Sequence, residues 1–205
     1  MEEQVAPMVP CPGCGGLFPD TTGPTHRYLE SSPGCAEACG RVFAQYYQSL
    51  PLFADVYRLA NDAYAVQHPG QHSRQAIQSV GLHLARLCLM FEHGLPVERA
   101  NAAAIAVGKG KHRFIWLWPP ASVGRITVAD FTTDLPVPQH KELVRSWARE
   151  AWEAWRPHHE IVRTWLPPEF GGEPHTVVGR GDAEGQGSRL RPVAARRHRR
   201  QKGAR

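Results

Sequence analysis

The 205-residue sequence has no apolar run approaching the roughly 20 residues needed to cross a bilayer. Its opening, MEEQVAPMVPCPGC, carries acids where a secretory leader would carry bases followed by a hydrophobic stretch. Together these absences predict a cytoplasmic protein with no membrane association. There is no internal repeat. Cysteine is scarce, with five in the chain, and in a compartment that keeps thiols reduced they read as free thiols and metal ligands rather than a disulfide framework. A basic surface is also missing from most of the chain. Residues 170–205 hold nine Arg and Lys against three acids, a charge of +6, whereas residues 1–169 sum to −1. The net charge of +5 therefore belongs to the tail and leaves no general nucleic-acid footprint on the rest.

What is present begins with Cys11-Pro12-Gly13-Cys14-Gly15-Gly16, a tight turn that can bring two thiolates to one point. With Cys35 and Cys39 the spacing becomes C-x2-C-x20-C-x3-C, the donor count of a tetrahedral zinc site. Because imidazole substitutes for thiolate in such sites, His26 rivals Cys39 for the fourth position. A chance turn beside ordinary helix cysteines is the plain alternative. Nothing around the pair reads as a strand-loop-helix redox unit. Four protein ligands would make the site closed and structural. Cys88 sits in an apolar helical stripe and reads as a small buried hydrophobe.

Periodicity predicts a mainly α fold, a helical bundle with an N-terminal zinc-knuckle loop. Helices are expected over about residues 35–50, 51–67, 74–93, 96–107 and 139–166, with Ser32 and Ser73 as N-caps, Pro33 just inside the first helix and Gly94 ending the third. Thr127 is expected to cap a short turn by reaching the Asp130 amide, and Pro157 should kink or break the last element. Thr25-His26-Arg27-Tyr28 has the look of an extended segment, and Phe114 to Trp118 that of an extended run or covering loop. Leu59, Val80, Leu84, Leu87, Phe91, Trp147, Trp155 and Val162 are the expected core, and Leu143 joins Trp147 and Ala151 on the inward face of the last helix. Residues 1–10 read as a flexible lead and residues 11–168 as one domain, with the knuckle at 11–39. Residues 169–205 are too poor in bulky apolar side chains to offset the entropy of ordering, and read as a disordered basic tail.

A second group is dispersed. Asp62, His68, His83, His158 and His159 fall on or beside separate apolar stripes, and His/His/Asp is a competent metal-binding set when helices bring it together. The plainer reading of the same residues, and the favoured one, is a buried hydrogen-bond network that binds nothing. The tail run from Arg189 to Arg200 can attract phosphates in a salt-dependent way, which makes nucleic acid a candidate partner through that segment alone; as a solvated end it needs no ligand.

The segments CPGCG, THRY, SPGC, NDAYAVQHP, QSVGLHL, ITVAD and WAREAWEAWRPHH, in that order, resemble an uncharacterised bacterial family of small cysteine-motif proteins classed as a domain of unknown function. The resemblance spans about residues 9–168 and is most specific in DAYAVQHP and the Trp-rich segment. It implies a mainly helical protein with an N-terminal metal knuckle and brings no activity with it. Ala36 stands where the family carries an aromatic residue, and Cys39 is outside the shared pattern, so the resemblance favours Cys11, Cys14, Cys35 and His26, with Cys39 as a substitute. The histidine-bearing interior is also similar in arrangement to DNA-damage-inducible four-helix metalloproteins. The functional expectation is a zinc-binding structural or interaction protein with an unidentified partner, for which another protein is the candidate. A metal-dependent hydrolase or transferase using the Asp62 and histidine set is the alternative.

Overall fold

Ser32 starts the first helix. Its hydroxyl accepts a hydrogen bond from the Cys35 amide at 3.3 Å, and Pro33 supplies a φ suited to the first turn, so helix α1 runs Pro33–Gln48. The computed structural model describes residues 6–132 and 134–172. The rest of the basic tail, from residue 173 on, lies outside the described residues, as do residues 1–5 of the N-terminal lead.

The continuous apolar spacing that predicts one helix over 51–67 is split. A single turn, α2 (Leu50–Phe53), is followed by α3 (Tyr57–Gln67). Between them the Val56 amide bonds the Phe53 carbonyl at 2.9 Å, three residues back rather than four. No glycine or proline marks this break. Ser73 caps α4 (Arg74–Phe91) by accepting from the Ala76 amide at 3.1 Å, and Gly94 follows it at a φ of 62°. Helix α5 runs Val97–Lys109. Phe114 to Trp118 has no regular structure and acts as a covering strap, with Phe114 and Leu117 buried and Trp118 exposed. Thr127 caps the turn Val128–Asp130 as expected, in a capping box: its side chain faces the Asp130 amide and also accepts from the Ala129 amide at 3.2 Å, while the Asp130 carboxylate accepts from the Thr127 amide at 2.7 Å.

The last long element is broken as Pro157 requires. Helix α6 covers Val137–Ala154, a 3₁₀ turn covers Arg156–His158, and α7 covers His159–Thr164, because proline has no N–H to continue the ladder. Pro168–Phe170 forms a further 3₁₀ turn with Phe170 packed on the core, where the sequence suggested the tail had begun. Before the helices, Met8–Pro10 (β1) and Leu17–Pro19 (β2) pair antiparallel with Val9 opposite Phe18. The end of the lead and the start of the expected knuckle loop thus form a hairpin whose Phe18 is buried. Thr25 to Leu29 turns instead of extending.

The fold is a mainly α bundle. Helix α3 lies against α6 and α4, and α4 in turn against α5 and α7. Its centre holds Trp147, Trp152 and Trp155, each an aromatic withdrawing roughly 150–250 Å² from water. Of the expected core, Phe91 alone is half-buried, beneath the Arg149 guanidinium at 4.6 Å; the others are buried. On α6, Val144 is the fully buried residue and Leu143 is half-buried. Among the described residues, no helix is long and apolar enough to cross a membrane.

Candidate metal centre

The β1–β2 hairpin folds Cys11 and Cys14 into one turn. The Cys11 amide bonds the Gly16 carbonyl at 2.8 Å, and the Gly15 amide bonds the Cys11 carbonyl at 2.9 Å. Gly15 sits at a φ of 73°, a conformation that costs other residues about 1–2 kcal/mol. Gly13 is needed for a different reason: a Cβ there would lie 2.5 Å from His68 Cδ2 and 2.5 Å from the Glu30 carbonyl oxygen. Its missing side chain lets the turn close over the histidine.

Cys35 comes from the first turn of α1, where the helix dipole and free amides favour a thiolate. His68 comes from the C-terminal end of α3. The four side chains are buried, and one donor atom from each lies within 4.8 Å of every other. Cys14 Sγ is 3.9 Å from Cys35 Sγ, and Cys35 Sγ is 3.4 Å from His68 Nε2. Ligand bonds of about 2.3 Å to sulfur and 2.0–2.1 Å to nitrogen, meeting at the tetrahedral angle, separate two sulfurs by about 3.8 Å and a sulfur from a nitrogen by about 3.6 Å. The observed separations fit donors facing a common ion. The cysteines are free thiols.

The surroundings orient these donors. His68 Nδ1–H donates to the Tyr64 carbonyl at 2.6 Å, which leaves the Nε2 lone pair facing the sulfurs, the usual outer support of a metal-bound imidazole. The Ser32 amide donates to Cys11 Sγ at 3.4 Å, and Tyr64 Oη lies 3.7 Å from Cys35 Sγ. Three thiols this close cannot all ionise unaided. The neighbouring Cys14 and Cys35 thiols hold Cys11 well below the usual thiol value, whereas Cys11 and Cys14 push Cys35 far above it. Burial disfavours charge on His68, yet hydrogen bonds to the Cys11 and Cys14 sulfurs outweigh it and raise the imidazole to about 9. A soft dication relieves all of these conflicts together, and this donor set suits zinc rather than an oxygen-preferring ion.

His68 therefore stands where the sequence placed His26 or Cys39. His26 is exposed in the 26–29 turn, edge-on to Tyr28. Cys39, one turn beyond Cys35, is buried outside the cluster, and burial pushes its thiol up to about 12. Spacing arithmetic missed His68 because it lies 33 residues beyond Cys35, at the stop of a different helix. One signal did point to it: the specific segment NDAYAVQHP carries this histidine just before its final Pro69.

The rest of the dispersed set does not converge. Asp62 and His83 do meet, His83 Nδ1 lying 2.7 Å from the Asp62 carboxylate. His158 Nε2 instead bonds the Trp118 carbonyl at 2.8 Å, while His159 stacks on Trp152 with centroids 3.6 Å apart and bonds the Trp152 carbonyl at 3.0 Å. Cys88, Glu92 and His93 also lie within ligand reach of one another. There Arg163 already pairs with Glu92 at 2.7 and 2.9 Å, and burial pushes the Cys88 thiol up to about 12, so an arginine cation occupies the carboxylate a metal would need.

The chain belongs to a family of unknown function (DUF5946), whose model matches residues 9–156. This stretch contains all four residues of the cluster. No curated protein and no solved structure matches the chain.

Proposed function

We propose that this is a zinc-binding protein in which Cys11, Cys14, Cys35 and His68 hold one Zn²⁺ as a closed structural centre. The observation that carries the reading is the pair of separations at Cys35, 3.9 Å to Cys14 Sγ and 3.4 Å to His68 Nε2. Four protein donors leave no open position for a substrate. The role of such a centre is mechanical: it staples the hairpin and the start of α1 to the end of α3, as an ion can where secondary structure alone supplies little cohesion. A thiolate site of this kind is stable where thiols stay reduced, which supports a cytoplasmic location. With the centre given to structure, the protein acts through its surfaces, as an interaction protein.

Elemental analysis of the full chain, purified under reducing conditions without added metal, tests the reading. Zinc near one per chain, released by a thiol-blocking mercurial, is expected. Protein that folds fully with no near-stoichiometric metal would overturn it.

A further inference from the structure

Away from the cysteines, α3 and α4 bury a charge for which packing gives no reason. Asp62 is fully buried. Its carboxylate accepts from Arg86 Nε at 2.7 Å, from Arg86 Nη2, and from His83 Nδ1–H at 2.7 Å. Removing an ion pair from water costs several kcal/mol per ion, and an apolar pair of the same volume often packs as well or better. What the arrangement achieves is orientation. With Nδ1 committed to Asp62, the His83 ring is fixed in position and tautomer, and its Nε2 has no partner among the described residues. The ring is partly exposed, its side chain 17% accessible, and it lines an open cleft of about 490 Å³ between the 26–29 turn and α4.

The walls of that cleft are uniform in sign. Lys111, His26 and the edge of Arg86 contribute positive or protonatable groups, Gln75 and Gln78 contribute amides, and no carboxylate lines it. Asp62 lies below, already matched by Arg86. Tyr28 completes the titratable groups that line the cleft with His83. The two fixed charges of the lining, Lys111 and Arg86, repel a cation, whereas an oxyanion finds donors on several sides.

The geometry points to a binding site for a small oxyanion, a carboxylate or a phosphate, held by Lys111 Nζ and by His83 in its doubly protonated form. Nδ1–H stays on Asp62, and Nε2–H donates to the ligand. Binding therefore takes up a proton at Nε2 when it starts from the neutral ring. This site is independent of the metal centre, since none of its anion-holding groups is a metal ligand.

Imidazole NMR of the full, zinc-loaded chain tests it, with inorganic phosphate, acetate and chloride as the titrants at matched ionic strength. His83 resonances are expected to shift saturably with phosphate or acetate, with chloride producing no such change. Saturation by phosphate alone assigns a phosphoryl ligand, and saturation by acetate a carboxylate. Lys111 is exposed, so Lys111→Met should keep the fold and weaken the saturable phase by about tenfold, the effect of one charge-assisted hydrogen bond. An arginine-rich tail that binds phosphate would shift its own resonances and leave His83 still. No saturable response at His83 with either oxyanion, or one unchanged by Lys111→Met, would overturn the proposal.

Discussion

Trp147 Nε1 donates to Gln67 Oε1 at 2.8 Å, both groups deep in the bundle, and Gln67 is the residue immediately before His68. The Gln67 amide nitrogen in turn donates to the Val123 and Ile126 carbonyls at 3.0 and 2.8 Å. One buried side chain thus ties α6 and the 123–126 loop to the end of α3, the point from which the histidine faces the three sulfurs.

Trp147→Phe removes the donor and leaves Gln67 Oε1 buried without a partner. An unsatisfied buried acceptor costs about 1–3 kcal/mol. The loss should appear in the urea midpoint, accompanied by weaker zinc retention against a competing chelator, because the clamp beside His68 is loosened.

Histidine substitution separates the two candidates for the fourth ligand. His68→Ala should lower bound zinc well below one per chain and expose the thiols to a colorimetric reagent. His26→Ala, at an exposed ring, should leave both readouts at the wild-type level. The reverse pattern would move the site.

Gly13→Ala alters no ligand, yet its new methyl group would meet His68 Cδ2 and the Glu30 carbonyl, each 2.5 Å away. Overpacking of this kind typically costs about 1–3 kcal/mol. Zinc affinity by chelator competition should fall, with a smaller change in helix content than His68→Ala produces.

Asp62→Asn strips the charge from beneath Arg86 and His83. Breaking one side of a buried pair costs about 3–5 kcal/mol, because the remaining charge stays buried. A large drop in the denaturation midpoint with zinc content unchanged is the expected result, since the cysteine cluster lies apart from this pair.

Stability should also fall in mild acid. His140 is fully buried, its Nε2 paired with the Tyr46 hydroxyl at 2.8 Å, and burial lowers its pKa from the usual value; burial likewise lowers that of His159. The unfolded chain then binds more protons than the folded one below about pH 6.5. The contribution is complete above that pH and is lost as pH falls through the depressed folded values. Urea midpoints measured between about pH 7.5 and 5 should decline, and the part of the slope due to His140 should vanish in His140→Gln.

Much of this architecture is legible in residue order. Helices α1, α4, α5 and α6 follow from apolar spacing and from local chemistry at Ser32, Pro33, Ser73 and Gly94, all of which act within a turn of themselves. Pro157 announces its own break. The split between α2 and α3 is not announced, because the apolar spacing runs through it and the change lies in a single hydrogen bond at Val56. The hairpin was hidden for a related reason: three-residue strands are too short to show alternation. At the candidate site, the three cysteines found in the sequence do converge, because two share a turn and one opens a helix. The fourth donor depends on where α3 ends in space, which no local spacing encodes.

The four clustered donors come from a hairpin, a helix start and a helix end, spread from residue 11 to residue 68. A complete set of ligands can therefore exist only after α3 has docked beside α1. Cobalt placed at this centre would colour through its sulfur ligands and change its spectrum as the imidazole joins. Followed during refolding, that spectrum would serve as a clock, dating the arrival of α3 in the order of assembly.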